Sequence, residues 1–213
     1  MVNAASAIEE IIKHPREERN IEFKESVAWE DIHFKAKITK SILGMANLRD
    51  GGWIIIGKRR NNDGSYESKG MIPDHFATYD SDLMQDFVRD YADPPIEIVL
   101  HKIEVESKQF IAIRVEEFER IPILCKRSCA EVIHRGKMYT RSKSKPETIE
   151  VPSEIEMREI IELATDKNIT SFRVRAARLG MLTIEQVMEI IARSQDLQSD
   201  KERFDEQIRR IGQ

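Results

Sequence analysis

The run Trp53-Ile-Ile-Ile-Gly57 constrains this chain more than any other segment. A strand that is apolar at successive residues, not alternate ones, has both faces turned from water, so layers must cover it on each side. Upstream, Asp31 opens an amphipathic helix with Phe34, Ile38, Ile42 and Met45 as its apolar stripe. Lys37, Lys40, Gly44 and Asn47 fall on a different face of that helix. Asn47-Leu-Arg-Asp-Gly51-Gly52 then joins helix to run, and the paired glycines supply the backbone freedom for a tight reversal.

The remaining pattern supplies the other elements. Residues 5–13 carry Ile8, Ile11 and Ile12 at helical spacing before Pro15. In residues 20–24, Ile21 and Phe23 alternate with Glu22 and Lys24, which predicts a short strand with the apolar pair facing in. Residues 58–70, KRRNNDGSYESKG, read as a polar loop. Residues 80–91 read as a helix with Leu83, Phe87 and Val88 inward, ending before Pro94-Pro95. Residues 96–106 and 109–116 alternate across Ser107-Lys108 as an antiparallel hairpin. Residues 131–141, centred on Gly136-Lys137, read as a further hairpin or bent strand, and a helix from Pro152-Ser153 extends to about Ala164.

This order predicts an α/β (α+β) domain over residues 1–165, a two-layer mixed sheet with flanking helices. Residues 166–213 read as a helical tail for packing or oligomerisation. Within it, residues 171–179 form a helix closed by Gly180, and Thr183-Ile-Glu-Gln186 is a capping box. Ile190, Leu197, Phe204 and Ile211 follow at seven-residue spacing. Ala176 and Gly180 sit at a helix–turn–helix spacing, a short and common pattern.

Composition excludes some roles. No apolar run approaches the roughly 18–20 residues of a membrane span, and the N-terminus lacks a basic segment followed by an apolar one. Cys125 and Cys129 alone make neither a disulfide framework nor a zinc site, and the five His are scattered. A cytoplasmic setting is the expectation. The net charge of −4 argues against a general nucleic-acid coat protein, but its distribution is uneven. Residues 126–145 hold seven Lys and Arg against Glu131 alone, whereas residues 146–170 hold seven acids against Arg158 and Lys167. Such a basic stretch suits contact with phosphates.

Two constellations could carry chemistry. Glu17 and Glu22 bracket the turn into the first strand, and Lys24 shares a strand face with Glu22. Two carboxylates can hold a divalent cation that activates water, with the Lys offsetting phosphate charge. The second is the helix–turn–strand stretch from Lys37 to Gly57, whose double Gly has a superficial likeness to a phosphate-binding loop. Gly51-Gly52 is not a P-loop, because it precedes a strand and no Gly-Lys-Ser/Thr follows. Trp29 and Trp53 adjoin apolar runs and read as core, while Tyr66 and Tyr139 lie near basic residues and would suit stacking on a base.

Glu17…IEFKES, KITKSILGMANLRDGGWIIIG, the return at Gly70 and MYTRSKSKP occur in order over roughly residues 10–160. Together they resemble the Schlafen/AlbA-like DNA-binding domain family. The resemblance implies a nucleic-acid-binding, transcription-regulator-like protein. Its phosphate contacts would come from Lys24, Lys37, Lys40, Lys58, Arg59, Arg60, Arg141, Lys143 and Lys145, without a cofactor. Some Schlafen relatives cleave RNA with three acidic residues, which implies an alternative: a Mg- or Mn-dependent nuclease acting on RNA or DNA through Glu17, Glu22 and Lys24. The third acid of that pattern would follow Gly57, where this chain has Lys58-Arg59-Arg60. Three positive charges there repel a metal and suit a phosphate. A further alternative is a non-catalytic assembly subunit, oligomeric through its C-terminal helices.

Overall fold

The computed structural model describes residues 4–151, 154–181, 185, 186, 188, 189 and 191–193. Its central sheet has the order β1-β2-β7-β6, formed by β1 (Ile21–Lys24), β2 (Gly52–Ile56), β6 (Ile98–Val105) and β7 (Lys108–Val115). β1 runs parallel to β2, and the other pairs are antiparallel, so the sheet is mixed as expected.

β2 lies inside the sheet with Ile54, Ile55 and Ile56 fully buried, as an unbroken apolar run requires. One layer is α2 (Ile32–Ala46), which buries Phe34, Ile38, Ile42 and Met45 with Ile54 and Ile56. The Asp31 side chain caps it by accepting from the Phe34 N–H at 2.7 Å. The opposite layer is α1 (Ala4–Lys13), whose Ile8 and Ile12 pack with Phe23, Ile55 and Phe110.

The turn between α2 and β2 is set by backbone geometry. Gly51 has φ +63, and a Cβ there would sit 2.0 Å from the Val115 carbonyl oxygen, so only glycine fits. Asn47, buried at the end of α2, ties the helix to distant segments. Its Nδ2 donates to the Ile123 and Tyr139 carbonyls at 3.0 and 2.9 Å, and its Oδ1 accepts from the Ile123 N–H at 2.8 Å. On the same helix face, a Cβ at Gly44 would meet Thr148 Cγ2 at 2.6 Å, which lets α2 approach the strand that carries Thr148.

Several expectations need correction. Residues 58–70 are not a loop but a short hairpin, β3 (Lys58–Arg60) against β4 (Tyr66–Ser68). Its charged strand residues conceal the alternation, and an Asp63–Ser65 turn closes it. A short α3 (Pro73–Ala77) precedes α4 (Ser81–Arg89), which buries Met84 and Val88, while Leu83 is 63% exposed. Residues 131–141 are not one hairpin. β8 (Leu124–Cys125) pairs with β5 (Ala92–Asp93), and β9 (Tyr139–Arg141) pairs with β10 (Thr148–Glu150). Buried Asn47 and the α2 face recruit β9, which outweighs local turn propensity. The two helices expected over 152–164 and 171–179 are one, α5 (Glu154–Arg178), followed by Gly180 at φ +70.

The chain divides into two units, 1–164 and 165–213. In the second, the capping-box residue Thr183 and the heptad positions Ile190, Leu197, Phe204 and Ile211 lie outside the described residues. Among the described residues no helix is long and apolar enough to cross a membrane.

Candidate functional site

At the β1 margin of the sheet, on the α2 side, lies a cleft of about 570 Å³. Strand alternation points Glu22 and Lys24 into it from β1, because Phe23 turns the other way into the α1 layer. Helical spacing brings Lys37, Lys40 and Ser41 from α2. The hairpin contributes Arg60, and the segment joining β9 to β10 contributes Lys145, Pro146 and Glu147. Glu17, Arg141 and Thr148 complete the polar lining.

Arg141 organises the floor. It is 1% exposed, and its Nη1 donates to Glu22 Oε2 at 2.7 Å, where Glu22 itself is 4% exposed. Its other donors reach the Arg19 carbonyl at 3.0 Å, the Pro146 carbonyl at 2.9 Å and Thr148 Oγ1 at 3.2 Å. Arg19 Nε returns a hydrogen bond to the Arg141 carbonyl at 2.8 Å, so the two residues lock the approach to β1 against β9. Burial lowers the Arg141 pKa from its usual value, opposed by the Glu22 carboxylate. The other Glu22 oxygen, Oε1, accepts from Lys24 Nζ. Glu17 Oε2 accepts from the Tyr66 hydroxyl at 2.5 Å. Burial first, and then that hydrogen bond, raises the Tyr66 pKa.

Of the residues singled out from sequence, Glu17, Glu22, Lys24, Lys37, Lys40, Arg60, Arg141 and Lys145 share this cleft. Two phosphate-contact expectations are corrected by burial. Lys58, 1% exposed, points to the opposite face of the sheet, where its Nζ donates to the Ile12 carbonyl and Ser68 Oγ. Burial pushes its pKa down to about 8. Arg141 is likewise committed to Glu22 and three other acceptors and is 1% exposed. Arg59 and Lys143 lie outside the cleft lining. Arg59 sits 3.8 Å from Glu25, and Lys143 pairs with Glu159 at 2.6 Å. Burial raises the Glu159 carboxyl pKa, but hydrogen bonds from Arg19 and Lys143 outweigh it and hold the group below its usual value.

Neither tyrosine offers a stacking face in the cleft. Tyr139 is 2% exposed, with its hydroxyl accepting from the His134 N–H at 2.8 Å. The Tyr66 ring packs on Phe23 at 4.7 Å between centroids. Trp29 is 3% exposed in the main core, whereas Trp53 is half-buried with the Arg114 guanidinium 5.5 Å from its ring.

The donor set does not fit a catalytic divalent metal. Both Glu22 oxygens already bind cations, Arg141 and Lys24, and a metal would have to displace them. The position after Gly57 is Lys58, buried on the opposite face of the sheet. Among the described residues no three His, Cys, Asp or Glu side chains gather closely enough to hold a metal ion.

No curated protein matches the chain. Among solved structures, it is similar to the DIP2311 protein of Corynebacterium diphtheriae, at 16% identity and a TM-score of 0.47. That match covers 71% of this chain and 27% of the other, so the chain spans about a quarter of that relative's length. It is also similar to the N-terminal domain of an ATP-dependent DNA helicase RecG-related protein of Nitrosomonas europaea, at 18% identity and a TM-score of 0.43. Here 72% of this chain and 97% of the other are covered. Residues 17–150, which hold every strand of the sheet and every residue lining the cleft, match the family model "Schlafen, AlbA_2". The chain therefore belongs to the Schlafen, AlbA_2 family.

Proposed function

We propose that this chain binds nucleic acid through the sugar–phosphate backbone, in the cleft between β1, α2 and the β9–β10 connection. One observation carries the reading: Lys24, Lys37, Lys40, Arg60 and Lys145, from four separate parts of the chain, line a single cleft. Six Lys and Arg line it against Glu17, Glu22 and Glu147, and Arg141 neutralises Glu22, so the lining is positive despite a net charge of −4 for the chain. Phosphate contacts of this kind give affinity without reading sequence. No aromatic ring lines the cleft, so base stacking contributes little. The nuclease alternative through Glu17, Glu22 and Lys24 draws no support from a carboxylate bound to two cations.

The test is a salt titration of binding to single- and double-stranded DNA and RNA. If all five cations meet phosphates, log Kd against log salt has a slope of magnitude about 4.5 on duplex DNA and about 3.5 on a single strand. The Lys37→Ala/Lys40→Ala variant lowers the duplex figure by about 2. A single strand of abasic sugar–phosphate binds as tightly as its base-bearing counterpart. Absence of binding at about 20 mM salt overturns the proposal, since electrostatic contacts are strongest there.

A further inference from the structure

The sheet has a second margin, opposite the cleft. β6 is the terminal strand and is hydrogen-bonded to β7 on one side. The hairpin joining them has a two-residue loop, Glu106-Ser107, both residues at positive φ (51 and 60), closed by the pair Val105 and Lys108. A loop of that type closes on a hydrogen-bonded pair. His101, Ile103 and Val105 therefore direct their backbone groups to β7, and Leu100, Lys102 and Glu104 direct theirs outward. α4 covers only the start of this edge, where Gln85 Oε1 accepts from the Ile98 N–H at 2.9 Å and Nε2 donates to the Ile96 carbonyl at 2.6 Å. Among the described residues no other element bonds the outward groups of residues 100, 102 and 104.

We propose that this edge pairs with the same edge of a second copy of the chain, antiparallel, about a two-fold axis through Ile103 and normal to the sheet. The occupant follows from the strand's own charges. In that register Lys102 opposes the partner's Glu104, and Glu104 opposes the partner's Lys102, so two complementary pairs form from one exposed Lys and one exposed Glu. Both positions are outward-directed, so they also exchange about four backbone hydrogen bonds. Half-buried Ile103 meets its own copy at the axis. Other registers that keep each face of the sheet continuous fare worse. Centring on Lys102 sets that Lys against itself. Centring on His101 sets the partner's Glu104 against Ile98, whose N–H Gln85 already holds.

One consequence rests on the cleft reading above. An axis normal to the sheet keeps both α2 layers, and hence both clefts, on the same side of one continuous sheet. The two β1 strands then lie at its outer margins, separated by about 34 Å at the usual strand spacing. That is about one turn of duplex.

The edge proposal is tested on the full chain without nucleic acid, by sedimentation velocity from about 5 to about 500 μM. The set is wild type, Lys102→Glu, Glu104→Lys and the double variant Lys102→Glu/Glu104→Lys, with circular dichroism as the check on folding. Wild type dimerises, each single reversal opposes like charges twice and weakens association about tenfold, and the double reversal restores it. A wild type monomeric throughout, a dimer indifferent to the single reversals, or a double variant that stays weak overturns the proposal. A second measurement titrates wild type and Lys102→Glu with 24-base-pair duplex at low salt. Weaker duplex binding by Lys102→Glu agrees with two clefts acting together. A charge-swapped dimer that binds no duplex leaves the edge pairing standing and removes the cleft reading.

Discussion

Replacing Arg141 by Met tests the floor of the cleft most directly. The side chains are similar in length, so the change removes the charge and donors with little change in volume. Arg141 donates to Glu22 Oε2 at 2.7 Å and to the Arg19 and Pro146 carbonyls at 3.0 and 2.9 Å, all within a site where it is 1% exposed. Its loss leaves the buried Glu22 carboxylate without that donor and releases the Arg19 and Pro146 carbonyls. Removing one partner of a buried ion pair costs about 3–5 kcal/mol. Lys24 still neutralises part of the Glu22 charge, which places the expected loss near about 3 kcal/mol. For a chain of this length that is a fall in Tm of about 6–12 °C. Urea unfolding monitored by tryptophan fluorescence measures the loss, with an unchanged m value showing that the folded and unfolded states keep their extent. The Glu22→Gln/Arg141→Met double variant removes the orphaned charge as well, so it is more stable than the two single losses added together. A single-variant loss below about 1 kcal/mol, or strict additivity in the double variant, refutes the buried pair.

Two further outcomes follow from buried polar groups. Lys58 has a folded-state pKa of about 8 against 10.5 unfolded, so the unfolded chain holds this proton through a window in which the native state has released it. Its contribution to stability therefore rises as pH increases from about 8 to about 10.5, by up to about 3 kcal/mol, and the Lys58→Met variant lacks that rise. Urea midpoints of the two proteins across pH 7–10.5 measure the difference; parallel profiles contradict it. Asn47→Ala strands the Ile123 N–H and two carbonyls in the core, an expected loss of about 2–4 kcal/mol. Asn47→Asp keeps the acceptor for Ile123 but loses both donors, so it rescues little; wild-type stability in either variant contradicts the assigned role.

The sequence determined the frame of this protein. An unbroken apolar run cannot face water on either side, so residues 53–57 had to become an inner strand with a layer on each face, and β2 is one. The Asp31 cap, the α2 stripe, the β6–β7 hairpin and the ordered motifs of the family were legible for the same reason: each depends on residues close in sequence. Glu22 and Lys24 were legible as one strand face, because alternation is local.

Tertiary structure decided which charges are free. Arg141 and Lys58 read as surface cations among other cations, yet each is buried, one by a carboxylate 119 residues away and the other by a carbonyl 46 residues away. Tyr139 reads as a stacking ring and is instead enclosed, with its own carbonyl held by Asn47. Pairing β9 with β10 and bringing both against α2 depends on contacts at long separation that no local pattern encodes. Local chemistry names the element a side chain stands on. Only the packed chain says which buried partner spends its charge, because a charge leaves water only where another group replaces that water.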